Sequence, residues 1–208
     1  MPRRALVLID VQNEYFTGRL PIQHPPREES LARILEAVET AETAGVPIVV
    51  VQHDSGAAAP VFAPGTPGYE LHPALADRAK PEWTRVVKHH ASVLAETVVD
   101  GAPLEDWLRA KGVDTLTLTG YMTNNCVLGT SVDAVTRGLK VEVLSDATGA
   151  IDLGNAAGAI PGRQVHETLM ALLHSNWAAV ADTVTWMAAV GSGEPLPKSN
   201  LVASAAGA

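Results

Sequence analysis

Gly120-Tyr121-Met122-Thr123-Asn124-Asn125-Cys126-Val127 is the stretch that decides how this chain is read. An apolar, strand-like run from Thr115 to Thr119 leads into it, and a helix-like run stopping at Gly138 leads out. A strand that feeds a helix through a tight turn leaves the first helical N–H groups without backbone partners. The positive end of the helix dipole lies in the same place. Cys126 is the only cysteine in the chain, and this reading sets its sulfur at that end. A helix N-terminus lowers a thiol pKa, and the thiolate is the nucleophilic form, so an activated Cys126 is expected. The competing reading is a small buried apolar side chain, the ordinary state of a free cysteine.

Working outward, Ala5 to Ile9 reads as a strand buried on both faces, with Asp10 at its carboxyl end. Val46 to Val51 reads the same way and runs into Gln52-His53-Asp54, and Thr84 to Lys88 makes a third, shorter strand. Thr115 to Thr119, Lys140 to Leu144 and Ala178 to Ala181 complete the set. Between them the pattern is helical. Leu31, Ile34, Leu35 and Val38 recur at helical spacing over Glu28 to Ala44, and Gly45 supplies the stop. Pro103 to Lys111 and Arg163 to His174 are further helices. Strands alternating with helices predict one parallel sheet covered by helices. Residues 1–190 are assigned to this domain, and 191–208, rich in Gly, Ser, Pro and Ala, to a C-terminal tail or arm. The long segment from Ser55 to Pro73, carrying Phe62, Tyr69, Glu70 and His72, reads as a lid or a subunit contact.

Composition narrows the function classes. A chain of 208 residues with 47% apolar residues supports one well-buried core. A net charge of −8 argues against nucleic acid as a partner, because little here would neutralise a phosphate backbone. Arg3 and Arg4 precede apolar residues, but Asp10 cuts that run far short of a signal sequence, and no stretch approaches a membrane span. One cysteine cannot form an internal disulfide, which fits a reducing compartment and a cytoplasmic, soluble protein.

Asp10, Lys88 and Cys126 stand at or just beyond the carboxyl ends of three different strands. A parallel sheet gathers such positions into one crevice. A carboxylate there takes a thiol proton, and an ammonium stabilises both carboxylate and thiolate. A nucleotide-binding module is disfavoured, since no glycine follows the first strand until Gly18 and no dinucleotide fingerprint exists.

The same residues resemble the isochorismatase-like cysteine hydrolases over nearly the whole chain, from Ala5 to about Trp186. The likeness is carried by Asp10-Val11-Gln12-Asn13-Glu14-Tyr15-Phe16, by Gly65 to Pro73, by Val87-Lys88-His89-His90, and most specifically by Gly120 to Val127. It implies an α/β fold, a single-domain, three-layer α/β/α sandwich with a six-stranded, mostly parallel sheet. It also implies a catalytic triad of Asp10, Lys88 and Cys126. A cis peptide between Tyr121 and Met122, and an oxyanion hole from the Met122 and Cys126 backbone N–H groups, are implied as well. The implied activity is hydrolysis of a small non-peptide amide, ureido or carbamoyl C–N bond through a thioester. No cofactor is expected. Nicotinamidase-like members build a metal site on an Asp-x-His pair after the second strand, whereas the matching place here reads Gln52-His53-Asp54, so no metal is expected either. Two alternatives stay open: vinyl ether hydrolysis of the isochorismatase type, against which the presence of Cys126 speaks, and a catalytically silent scaffold. Asn13, Phe16 and Tyr121 are placed in the substrate pocket, with Trp83 and His90 closing it from the lid side. Family likeness further implies a homo-oligomer, a dimer or tetramer, acting on a small-molecule substrate.

Overall fold

The computed structural model describes residues 1–207. Six strands form the main sheet: β1 (Arg4–Ile9), β2 (Ile48–His53), β3 (Thr84–Lys88), β4 (Thr115–Tyr121), β5 (Lys140–Gly149) and β6 (Ala179–Ala181). Their order across the sheet is β6-β5-β4-β1-β2-β3, and every neighbouring pair is parallel. The chain lays β1 to β3 to one side, then returns to lay β4 to β6 on the other. The order therefore reverses at β1, and the crevice beyond its carboxyl end is where ligands bind in such sheets.

The sheet separates two apolar clusters, giving three layers. Leu6, Leu8 and Val50 face the helices Arg27–Ala44 and Thr183–Ser192, meeting Ile34, Val38 and Trp186. Ala5, Val7, Ile9 and Val49 face the opposite side, where Leu108, Ala134 and Leu173 come from the helices Leu104–Ala110, Leu128–Thr136 and Gly162–Asn176. β1 and β4 are buried along their full length, as central strands with helices on both faces must be. Near the amino end of the sheet Arg4 is also buried, gripping Glu142 through Nε and Nη2, each 2.9 Å from a carboxylate oxygen. Thr117 and the Trp186 indole donate to the same carboxylate.

Boundaries differ from the sequence reading where polar residues interrupt the apolar pattern. β5 continues five residues past Leu144 because Ser145 and Asp146 sit within it, and its pairing with β4 resumes at Gly120–Thr148 after an irregularity. Short hairpins at Val98–Pro103 and Leu153–Ile160 fall in stretches with no apolar alternation. The assigned tail boundary at 190 falls inside the Thr183–Ser192 helix, which Asp182 caps by accepting from the Thr185 N–H. Leu196 beyond it is buried in the core, so the first part of the tail packs, anchored by one apolar side chain in a polar run.

Gly120 is where β4 meets β1 most closely. Its φ is +91°, and a Cβ built there would stand 2.0 Å from the Ile9 carbonyl oxygen. Only glycine suits both constraints. Gly120→Ala is expected to cost about 3 kcal/mol or more, read as a fall in the midpoint of urea unfolding at unchanged slope.

Candidate active site

Asp10 follows β1 with φ +50°, a left-handed conformation that costs a non-glycine residue of the order of 1 kcal/mol and marks sites where geometry outranks comfort. Its N–H is held by the Val51 carbonyl at 3.0 Å. Lys88 ends β3, where only Val86 and Lys88 of the last three residues point inward. Register sets Lys88 beside His53, two strands from β1, and the long side chain crosses that gap. Cys126 comes from the Thr123–Val127 turn, a wide helical turn that precedes the Leu128–Thr136 helix. The peptide bond between Tyr121 and Met122 is cis.

The three side chains meet. Lys88 Nζ lies 2.8 Å from Asp10 Oδ2 and 3.2 Å from Cys126 Sγ. The same ammonium lies 3.1 Å from His53 Nδ1 and 3.2 Å from the His90 carbonyl. Asp10 is fully buried, and Lys88 and Cys126 are 1% and 3% exposed. Lys88 is the charged partner of the Asp10 Oδ2, and the Oδ1 has no hydrogen-bond donor among the described residues. A carboxylate left in that state is a ready proton acceptor.

Burial sets the electrostatics. It pushes the Asp10 carboxyl above its ordinary value, which the neighbouring ammonium offsets only in part. Burial alone would lower Lys88, but the Asp10 charge and the sulfur outweigh it and hold the ammonium above the usual lysine range. For Cys126, burial and then the Asp10 carboxylate push the thiol up to about 12. The expectation of a thiolate stabilised by a helix end is thus corrected: in the closed crevice desolvation wins, and the resting sulfur carries its proton.

The remaining sequence-predicted residues separate. Tyr121 is fully buried, bonds the Ser30 hydroxyl at 2.7 Å and packs its ring 5.5 Å from that of Tyr15. Phe16 packs between His72 and Tyr121, and Asn13 donates to the Pro67 carbonyl, so both tie the loop to the core. Trp83 is packed in the core just before β3 begins, at the end opposite Lys88, and does not close the site. His90 offers Lys88 its backbone oxygen, while its exposed ring turns to Glu96. The Thr123 hydroxyl is fully buried and 2.9 Å from His166 Nδ1, holding the turn.

Three contributors escaped the sequence reading. Gln12, fully buried, accepts from the His53 N–H at 2.8 Å and donates to the carbonyls of His53 and Tyr69 at 3.1 and 2.7 Å. Tyr15 lies close enough that burial, then Cys126 and Asp10, raise its phenol well above the usual value. His53 touches the ammonium itself. The available sequence signal was position: His53 ends β2 and Gln12 lies in the turn after β1, both at the carboxyl side of the sheet. From the 55–73 segment, Phe62 inserts against Tyr15 and His53 and covers the crevice. Among the described residues no group of three or more His, Cys, Asp or Glu is gathered as metal ligands would be. Nor, among them, is any helix long and apolar enough to cross a membrane.

Comparison with known proteins places this geometry. The family profile described as Isochorismatase domain matches residues 4–183. A crystal structure from Burkholderia xenovorans, provisionally named an isochorismatase, is 46% identical and superposes with a TM-score of 0.93, covering 99% of this chain and 95% of that one. A secreted isochorismatase effector of Verticillium dahliae is 36% identical over 72% of this chain and 74% of its own length. The nicotinamidase/pyrazinamidase of Mycobacterium tuberculosis is 31% identical over 76% of this chain and 92% of its own length.

The shifted thiol has a stability consequence with a definite sign. A folded pKa of about 12 against an ordinary 9.0 means the folded protein keeps a proton that the unfolded chain gives up. The associated stability is complete below pH 9 and is lost as pH rises toward 12. Above pH 9, each unit should remove about 1.4 kcal/mol from the stability of the protein relative to Cys126→Ala, measured by urea unfolding of both at pH 8 and pH 10.

Proposed function

The chain belongs to the isochorismatase family, and from that premise we propose a cysteine-dependent hydrolase cleaving a small non-peptide amide, ureido or carbamoyl C–N bond. The observation that carries this reading is one buried ammonium within 2.8 Å of a carboxylate and 3.2 Å of the only sulfur nucleophile in the chain. A relative that is a nicotinamidase/pyrazinamidase supports amide hydrolysis as the reaction class.

The reaction proceeds in two acyl transfers. Asp10 takes the Cys126 proton as the sulfur attacks the substrate carbonyl, so that the thiolate exists only as the S–C bond forms. Lys88 stays charged throughout and holds the negative charge as it moves from carboxylate to sulfur. The tetrahedral oxyanion sits on the Met122 and Cys126 N–H groups, where one donor is typically worth about 2.7–4 kcal/mol. Asp10 returns the proton to the leaving nitrogen, the C–N bond breaks, and a thioester remains. Asp10 then draws a proton from water as it attacks the thioester, giving the acid and the free thiol. No metal takes part in this scheme. The lone cysteine supports a reducing, cytoplasmic setting. A homo-oligomer is supported by the exposed Ile160, which lines a groove with Leu128, Leu153 and Leu169 where the Asn124 Oδ1 lacks a partner among the described residues.

A second reading, vinyl ether hydrolysis, is favoured by the similarity to a secreted isochorismatase effector. One variant separates the two. Cys126→Ala should lower turnover of small amides by at least about 10³-fold while costing about 1 kcal/mol in stability. An unchanged rate on amides would exclude covalent catalysis, and isochorismate turnover surviving in that variant would select the second reading.

A further inference from the structure

His53 is the contact of the Lys88 ammonium that the hydrolytic scheme leaves unused. It ends β2, between the strand that carries Lys88 and the strand that leads to Asp10. Its backbone is held on both sides by one amide, since Gln12 accepts from its N–H and donates to its carbonyl. Its ring is held on both sides as well. Lys88 Nζ stands 3.1 Å from Nδ1, and Phe62 meets the ring edge-on with centroids 5.4 Å apart and planes at 84°. A histidine needed only to fill space would not be clamped at four points.

The chemistry of those partners decides the tautomer. An ammonium donates and never accepts, so the nitrogen facing it must carry a lone pair. Nδ1 is therefore bare, and the single ring proton is on Nε2. The charged form is disfavoured by burial first, then by Lys88 and His89, and the ring titrates at about 4 despite the opposing Asp54 charge. At neutral pH His53 is a neutral donor with a fixed orientation. No protein group pairs with Nε2 among the described residues, and the side chain is only partly buried.

We propose that His53 is a substrate-binding residue whose Nε2–H donates to a second carbonyl oxygen flanking the scissile amide, as in an acylurea or carbamoyl compound. The inference rests on Cys126 being the nucleophile. Nδ1 is one hydrogen-bond step from the ammonium, and the ammonium one step from the sulfur. Two short contacts therefore join the ring to the sulfur, which makes His53 a neighbour of an acyl group carried on Sγ. Lys88 then serves twice, once toward the reacting sulfur and once in aiming a specificity donor. A site that hydrogen-bonds a substrate group discriminates against the analogue lacking it, because the donor is then left unpaired.

The test uses two alkylating amides, reagents for an activated cysteine that do not require the natural substrate to be known. Chloroacetamide carries one carbonyl and chloroacetylurea carries two, and each loses chloride as the S–C bond forms. Inactivation is followed by intact mass, and the half-saturating concentration is obtained for both reagents with the unaltered protein, His53→Ala, His53→Asn and His53→Gln. The asparagine oxygen replaces Nδ1, whereas the glutamine amide N–H replaces Nε2–H. The unaltered protein should favour chloroacetylurea in half-saturation by about tenfold. His53→Gln should keep most of that preference, and His53→Ala and His53→Asn should abolish it. A preference kept by His53→Asn and lost by His53→Gln would reduce His53 to a buttress of Lys88. The same ratio in all four proteins would remove it from substrate binding. A native protein that neither reagent labels, while the urea-unfolded chain reacts, would overturn the nucleophile reading itself, and this inference with it.

Discussion

A carboxylate and an ammonium 2.8 Å apart, with water excluded from both, are the constraint around which this molecule is arranged. Removing two charges from water costs several kcal/mol per ion, and their mutual attraction returns this only when geometry is held. Removing one partner typically costs about 3–5 kcal/mol, because the other is left buried and alone. The pair also comes from strands that do not touch, β1 and β3, with β2 between them. Its existence therefore demands the register of all three strands, the inward turn of Lys88 on an otherwise exposed edge, and the left-handed backbone at Asp10. Helices on both faces supply the apolar volume that keeps the pair dry.

The same dryness explains the protonated thiol. A resting thiolate beside Asp10 would set two anions against one ammonium in a low-dielectric crevice. Moving a single proton from sulfur to carboxylate keeps the charge count constant, with one anion and one cation before and after. Lys88 reaches both atoms without moving, so the change in charge position needs no rearrangement of the protein. The raised carboxyl of Asp10 strengthens it as the acceptor.

Much of this was legible from residue order. The apolar runs preceding Asp10 and Gly120, and the one ending in Lys88, were long enough to read as strands, and placement at their carboxyl ends is a property of parallel sheets. Trp83 was misplaced because proximity in sequence to Lys88 says nothing about which end of a strand a side chain takes. Trp83 lies a strand's length from Lys88, whereas Tyr121 bonds Ser30 and packs against Tyr15 near the site. The thiol shift was illegible for a different reason. Desolvation is a sum over everything that covers an atom, and Cys126 belongs to an apolar cluster drawn from segments that no local pattern joins, Ile9, Val93 and Met170 among them. His53 was hidden by register, since its contact with Lys88 follows from the pairing of β2 with β3.

Gln12 binds two parts of the molecule that are far from it in sequence, the end of β2 and the segment that covers the crevice. Its oxygen accepts from the His53 N–H at the floor of the crevice, and its nitrogen donates both to the His53 carbonyl and to that of Tyr69, in the segment that covers it. Neighbouring backbone bonds, Asn13 to Glu70 and His72 to Val11, stitch the same seam. The cover is therefore not a modular cassette. Replacing the 56–68 segment would change what meets the ring of His53 directly, through Phe62, and would strain the seam at Tyr69 that Gln12 holds, so roof and floor have to be altered together.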